Sequence, residues 1–420
     1  MLIVATAVVL TLIAVLVAVN FMTSEKKIRQ KVERLYSVED AQFMRVMGTL
    51  LGPPVLGGNS YHVLLNGDEI FPALLAAIAG AKQTINFETY IYWSGAIGKR
   101  VADALAGRAK AGVEVNVLLD WVGSQKMDAA LLEELQAAGV GVKKFHPPHW
   151  SHLGQLNNRT HRKLLVVDGT IGFTGGVGIA EEWTGDAQDA DHWRDTHFEV
   201  RGPVVAQMQS VFLDNWIKAT GKVLHGPEYF PEIVPTGDGS AQVFSNSPSG
   251  GTESMELMYL LSITGAQRSI RLSSSYFVPD ELALRAMTDA LERGVGLQII
   301  TPGAHIDSET VRGASKARWG RLLAAGAEIY EYQPTMYHCK VMIVDEFMVS
   351  VGSTNFDPRS FSLNDEANLN IYDKRFATAQ VAIFEGDLKR SHRVTSAQWE
   401  ARPWREKLAE RVASLIGSQL

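Results

Sequence analysis

The chain has one cysteine, Cys339, in 420 residues. No intramolecular disulfide can form, so the fold is not a disulfide scaffold, and cysteine usage carries no sign of an oxidising compartment. An excess of positive charge is also missing. The formal net charge is -6, whereas general nucleic-acid binders are usually basic, so no nucleic acid is expected as a partner. Residues 2–22 lack charge altogether, and no Lys or Arg precedes them. The absence of a basic n-region, with a run longer than the roughly 7–15 residues of a signal peptide's apolar segment, argues against a cleaved signal.

What is present is ordinary globular composition: 46% hydrophobic and 20% charged residues, enough for a sizeable core. The length predicts two or three domains or one large, internally repeated body. About 20 apolar helical residues span a hydrocarbon layer of roughly 30 Å, so residues 1–22 are expected to form a transmembrane helix. Lys26, Lys27, Arg29, Lys31 and Arg34 follow it. They predict a single-pass protein in the cell membrane, with its body in the cytoplasm and a flank that attracts anionic headgroups.

From about residue 60, apolar strand runs alternate with helical segments, the pattern of an α/β body. The second half repeats the order of the first. The offsets are 186 from Tyr90 to Tyr276, 182 from Gly112 to Gly294, 187 from Gly139 to Gly326 and 177 from His161 to His338. Near-constant offsets across four landmarks indicate a duplicated unit, too long for a solenoid repeat. Turn chemistry between about 221 and 250 marks the join. The expected divisions are an anchor (1–22), a basic juxtamembrane helical linker (23–58), a first half (59–225), a linker (226–250), a second half (251–400) and a C-terminal amphipathic helix (401–420). Leu408, Val412, Leu415 and Ile416 recur at helical spacing in that last segment and are expected to pack onto the body.

One pattern, His-x-Lys-x4-Asp, occurs twice: His161, Lys163 and Asp168, then His338, Lys340 and Asp345. On a strand, a spacing of two turns His and Lys to the same face. Two histidines and two lysines suit attack on a phosphodiester, which needs its charge neutralised and its leaving alkoxide protonated. Lysine supplies the first. A histidine with an ordinary pKa near ~6.5 serves as nucleophile or acid, and a covalent route splits one hard displacement into two. Asp168 and Asp345 complete the catalytic motifs, but each stands at a hairpin turn and is expected to point away from the substrate and brace the loop. A nucleophilic histidine needs its second ring nitrogen held by an acceptor. Asp195 and Glu366 follow the motifs at similar distances and are assigned that task, with Asp191 and Asp365 as rivals. The turns after the motifs point to Gly176, Ser353 and Asn355 as phosphate ligands. Lysine is a poor metal ligand, so the motifs do not form a metal site. His146, His149 and His152 read better as a substrate-entry loop than as a metal cluster. Cys339 is expected to face away from its neighbours and pack. Trp150, Trp183 and Trp193 read as core or as the lining of an acyl groove.

These residues resemble the phospholipase D superfamily, and most of all bacterial cardiolipin synthases and their phosphatidylserine synthase-like relatives. The resemblance is carried by Asn158 to Gly169 with Phe173 to Gly176, and by Met336 to Asp345 with Gly352 to Asn355. Asn364 to Glu366 and the strand Glu88 to Tyr92 add to it. It implies two α/β halves, each a mixed sheet flanked by helices, packed pseudo-symmetrically around one active site that uses no metal or cofactor. It also implies a phosphohistidine on His161, with His338 as acid and base. Gly178 stands where the family commonly has Asn, and such synthases often have two membrane segments where this chain has one. The expected activity is phosphatidyl transfer between phospholipids, phosphatidylglycerol giving cardiolipin. The alternatives are hydrolysis to phosphatidic acid and a phosphodiesterase or nuclease.

Overall fold

A computed structural model describes residues 4–8, 10–12, 15, 28, 30–147, 157–248 and 254–415. Helix α1 (Ala41–Leu50) leads into the first half: β1 (Leu56–Leu65), α2 (Asn66–Gly80), β2 (Thr84–Thr89), α3 (Ala96–Lys110), β3 (Glu114–Asp120), α4 (Ala129–Ala137), β4 (Gly141–Phe145), β5 (Arg159–Thr160), β6 (Leu164–Val167), β7 (Ile171–Gly175), β8 (Thr196–Arg201) and α5 (Val205–Thr220). The second half runs β9 (Gly239–Asn246), α6 (Ser254–Gly265), β10 (Ser269–Ser274), α7 (Glu281–Glu292), β11 (Gly296–Pro302), α8 (Glu309–Ala324), β12 (Glu328–Tyr332), β13 (Lys340–Val344), β14 (Met348–Gly352), α9 (Pro358–Ser362), β15 (Asn364–Tyr372), α10 (Lys374–Leu388) and β16 (Ser391–Val394). Helices α11 (Ser396–Glu400) and α12 (Trp404–Leu415) close it.

The described strands join in the order β16-β12-β11-β10-β13-β14-β15-β9-β1-β8-β7-β6-β2-β3-β4, with β5 added to β15. Apart from β16 and β5, this order is a palindrome about the β9–β1 junction, which is how a duplicated unit reads when two copies meet edge to edge. In each copy three strands are parallel and joined through helices (β2-β3-β4 and β10-β11-β12), and the next strand, β6 or β13, is antiparallel to them. The parallel strands are covered on both faces, so β3 is buried from Val115 to Asp120 and the period-two alternation disappears. Each half has its own helix-covered core. A third core joins Val166, Phe198 and Met208 of the first half to Val341, Val351 and Leu369 of the second.

Strand register equates Ile85 with Ile270, because they pair with Val167 and Val344 of the two motif strands. That offset of 185 makes Ser275, not Tyr276, the counterpart of Tyr90. Two expected boundaries shift. Strand β1 begins at Leu56 and β9 at Gly239, inside the segments read as linkers. The juxtamembrane linker is not helical over 31–37: Ile28, Val32 and Tyr36 pack on the second-half core, and Lys31 meets Asp289 at 2.6 Å. Packing of these side chains decides the path there. The expected membrane helix falls largely outside the described residues; of that run, 4–8, 10–12 and 15 are helical. Among the described residues no helix is long and apolar enough to cross a membrane. His149, Trp150 and His152 also lie outside the described residues. Helix α12 packs on α8 through Ala413 and leaves Trp404, Leu408 and Val412 exposed.

Candidate active site

Each His-x-Lys segment enters its strand from a main-chain bridge to the opposite half. The His161 N–H donates to the Asp365 carbonyl at 2.8 Å, and the His338 N–H donates to the Arg194 carbonyl at 2.8 Å. Strand β5 pairs with Asn364 and Asp365, and Arg194 bridges to Tyr337. The two motifs are thus stitched across the pseudo-dyad before any side chain is considered.

The carboxylates cross in the same way. Glu366 Oε1 and Oε2 both lie 3.0 Å from His161 Nδ1. Asp195 Oδ2 lies 2.7 Å from His338 Nδ1. Each half's histidine is held by the other half's acid. An ionised carboxylate only accepts, so Nδ1 carries the proton and the lone pair is on Nε2. Asp195 takes further bonds from Trp183 Nε1 at 3.0 Å and the Thr196 N–H at 2.8 Å, and Glu366 from Ser353 Oγ at 2.5 Å. The rivals make other contacts. Asp365 gives His161 only its carbonyl, and exposed Asp191 donates its own N–H to Asp189.

Both histidines and Lys163 line a single cavity of about 260 Å³. Ile91, Trp93, Trp183 and Trp193 form an apolar side, and Arg159, Arg359 and Asn355 are among its polar groups. Burial, with Lys163 and Lys340 nearby, pushes His161 down to about 4 against the pull of Glu366. Burial and the Lys340 charge push His338 down to about 3. Burial lowers Lys163 to about 7 and Lys340 to about 8. Burial alone would raise Asp195 and Glu366, but the facing histidines and lysines outweigh it and hold both below the usual carboxylate range. The site at neutral pH therefore holds two neutral imidazoles, two ionised orienting carboxylates and lysines within reach of losing their charge.

The lysines are not equivalent. Lys340 Nζ lies 3.1 Å from both ring nitrogens of His338 and donates to Ser275 Oγ at 2.6 Å. Both lysines donate to the carbonyl of their own histidine, at 2.8 Å for Lys163 and 2.7 Å for Lys340, whereas Lys163 Nζ lies 5.6 Å from the Tyr90 ring centroid. The difference follows from the duplication, since Tyr90 occupies the register position of Ser275.

Residues 74–216 and 259–388 match the family described as "Cardiolipin synthase, PLD-like domain". The chain belongs to this phospholipase D-like family. It is 38% identical over 370 residues to a cardiolipin synthase of Geobacillus kaustophilus, covering 87% of this chain and 74% of that one. It is 35% identical over 361 residues to the major cardiolipin synthase ClsA of Bacillus subtilis, covering 85% and 75%. Among solved structures, phosphatidylserine synthase of Haemophilus influenzae superposes with a TM-score of 0.70 at 15% identity, covering 90% of this chain and 99% of that one; the likeness is one of fold.

Several residues of this phospholipase D-like chain stand elsewhere than the motifs suggest. Asp168 and Asp345, read as catalytic through their motifs, do not line the cavity. Asp168 accepts from the N–H groups of Lys82, Gln83 and Thr84, and Asp345 from those of Gln267, Arg268 and Ser269. Each closes a left-handed hairpin turn (Asp168 φ 50°, Gly169 φ 61°; Asp345 φ 53°, Glu346 φ 55°) and staples it to the start of the neighbouring strand. Gly176 stands against the orienting acid: a Cβ there would meet Asp195 Oδ1 at 2.3 Å, so its smallness makes room for Asp195. Ser353, offered as a phosphate ligand, spends its hydroxyl on Glu366. Asn355 lines the cavity. Among the described residues, no three of His, Cys, Asp and Glu are arranged to hold a metal ion.

Motif reading missed the layer beneath. Arg162, between His161 and Lys163, is fully buried and donates to the carbonyls of Val211 and Asn246 at 2.8 and 3.2 Å and to Asp214 at 3.1 Å. Thr160 Oγ1 and Asn215 Nδ2 donate to Glu88 Oε1 at 2.5 and 2.8 Å. Tyr337, Ser273 and Asp387 occupy the matching places in the other half. A charged residue inside an apolar strand, as at Glu88, was the available signal.

Proposed function

We propose that the chain is a phosphatidyltransferase that makes cardiolipin from phosphatidylglycerol through a phosphohistidine, acting at a membrane. One observation carries the reading: imidazoles from opposite halves share one cavity, each held at Nδ1 by the other half's carboxylate, with its lone pair on Nε2. Relatives at 35–38% identity are named cardiolipin synthases.

His161 is the nucleophile. Its carboxylate raises the basicity of Nε2. His338 is the acid and base, because Lys340 sits against its ring and is the nearest proton store. The anionic phosphodiester offsets the lysine charges on entering, which favours protonated His338. His161 Nε2 then attacks phosphorus as the P–O bond to the glycerol headgroup breaks, and the leaving alkoxide takes the His338 proton. In the second step a hydroxyl of another phosphatidylglycerol gives its proton to His338 and forms the new P–O bond as P–N breaks. Two phosphatidylglycerols yield one cardiolipin and one glycerol.

Purified protein with labelled phosphatidylglycerol is expected to produce cardiolipin; phosphatidic acid as the only lipid product would leave a hydrolase instead. Acid-labile, base-stable label is expected on His161, and label on His338 would exchange the two roles. The apolar run 2–22 and the basic flank that follows support a single-pass anchor with the body on the cytoplasmic side. Protease added outside intact spheroplasts is expected to spare the body, and its digestion there would reverse the orientation.

A further inference from the structure

An anchor formed by the apolar run 2–22 would tether the chain without seating its cavity. The segment after that run docks beside the amino ends of the parallel strands β10 and β11: Arg34 Nη2 donates to Gln267 Oε1 at 2.5 Å, and Lys31 meets Asp289 at 2.6 Å. The cavity lies past the carboxyl ends of the same strands, where Tyr276 and Asp307 line it. A tether at the far end of the strands leaves the reacting end to be seated by other groups. Helix α12 stands there. Its inner face packs toward the cavity wall, with Ala413 joining Val278, Val311 and Ala314 in a cluster that Tyr276 packs against. Its outer face is apolar. Trp404, Leu408 and Val412, four residues apart, share one side of the helix and are 69%, 55% and 59% exposed. At 3.6 residues per turn, Arg405 borders this stripe on one side and Lys407 and Arg411 on the other, and all three are exposed.

The acids of this region are spent on other partners. Glu410 accepts from Arg402 Nε and Nη2 at 3.0 and 2.7 Å, and Glu406 pairs with Lys316. Glu309, the remaining acid of the groove between α8 and α12, lies 3.8 Å from Arg312. Lys407 Nζ donates to a neutral group, the Glu400 carbonyl, at 2.6 Å. The charge that borders the stripe is therefore basic. A helix that only covered a core would turn its apolar side inward; this one turns a tryptophan and two aliphatic residues outward between cations, the composition of a helix that lies in a lipid interface. A second copy of the chain fits the stripe less well, because a self-contact brings the same three cations together. We propose that α12 lies in the headgroup layer of an anionic bilayer, with Trp404, Leu408 and Val412 at the acyl boundary and Arg405, Lys407 and Arg411 on lipid phosphates. The proposal rests on the membrane part of the proposed function and not on the reaction. It holds the reacting end of the body at the depth of the phosphodiesters it works on, so that a lipid enters the cavity with its acyl chains still in the leaflet.

The test is the depth of the stripe. Cys339 is the sole cysteine and is buried, so Leu408→Cys gives the full chain one accessible thiol for an environment-sensitive fluorophore. The labelled chain is mixed with vesicles of phosphatidylglycerol or of phosphatidylcholine whose acyl chains carry nitroxides, and the bound protein is recovered by flotation. On the floated protein, the ratio of quenched to unquenched probe is expected to be roughly tenfold higher with phosphatidylglycerol, and to fall by a similar factor there when Arg405→Gln and Arg411→Gln are added. Floated protein with an unquenched probe on phosphatidylglycerol overturns the proposal, as does quenching that ignores lipid charge. A probe that shifts to the blue as protein concentration rises without lipid assigns the stripe to a second copy and overturns it too. A chain that fails to float on phosphatidylglycerol overturns it together with the membrane reading. No turnover is read, so the outcome is separate from whether the chain yields cardiolipin or phosphatidic acid.

Discussion

His161 and His338 are tuned more by burial than by their partners, and this has a consequence for pH. Free histidine binds a proton near ~6.5, whereas these two resist protonation until about 4 and about 3. Between those values the unfolded chain holds protons that the folded chain does not. Stability is therefore complete above about pH 6.5 and falls as the pH drops through the folded values; urea unfolding at pH 7 and pH 5 checks this, with a lower midpoint expected at pH 5. Lys163 at about 7 and Lys340 at about 8 act on catalysis. Loss of their charge is expected to produce a falling limb in kcat/KM near those values, since that parameter reports the free enzyme. Gly176→Ala is a sharper probe. Its Cβ has no room beside Asp195, so kcat is expected to fall roughly 100-fold or more through a misaligned His338, measured as transfer rate per folded molecule.

At the scale of elements, the β6–β7 and β13–β14 hairpins are fastened by Asp168 and Asp345. Asp345→Ala strands three N–H groups at the start of β10 and is expected to cost about 2–4 kcal/mol in unfolding free energy, read from denaturant titration. The strands and helices of both halves were legible because hydrophobic period and turn residues are local signals. So was the chemistry of the His-x-Lys pairs, because a two-residue spacing on a strand selects a face. The identities of Asp195 and Glu366 were also within reach, as polar residues ahead of apolar strands. That each serves the opposite half's histidine was not, since the partners lie 143 and 205 residues apart and no local pattern encodes that. Trp183 was read as core or groove because an aromatic in a turn carries no mark of its hydrogen bond to Asp195. Ser353 sits in a turn that suggests phosphate, yet its hydroxyl is claimed by Glu366, an outcome decided only when β14 and β15 pair.

Over the whole molecule, the third core and the crossed acids make the two halves one catalytic unit. Glu366→Gln, which changes an acid of the second half, is expected to disable the first half's histidine: kcat falls roughly 10²–10⁴-fold with little change in KM, and phosphoenzyme formation slows before any acceptor is added. Asp195→Asn acts instead on His338 and is expected to impair breakdown of that intermediate as well as its formation. Rapid-quench measurement of the labelled enzyme separates the two, and the same pattern of slowing in both variants would refute the division of roles.

The reciprocal loan of Asp195 and Glu366 also constrains ancestry. A precursor gene encoding a single half would have specified a polypeptide whose imidazole lacked its proton-holding neighbour until a twin docked edge to edge along the seam now made by β9 and β1. Fusion of the two copies turned that encounter into a permanent arrangement and freed the paired positions to drift apart, as Glu and Asp, Tyr90 and Ser275, or Gly176 and Ser353 have done.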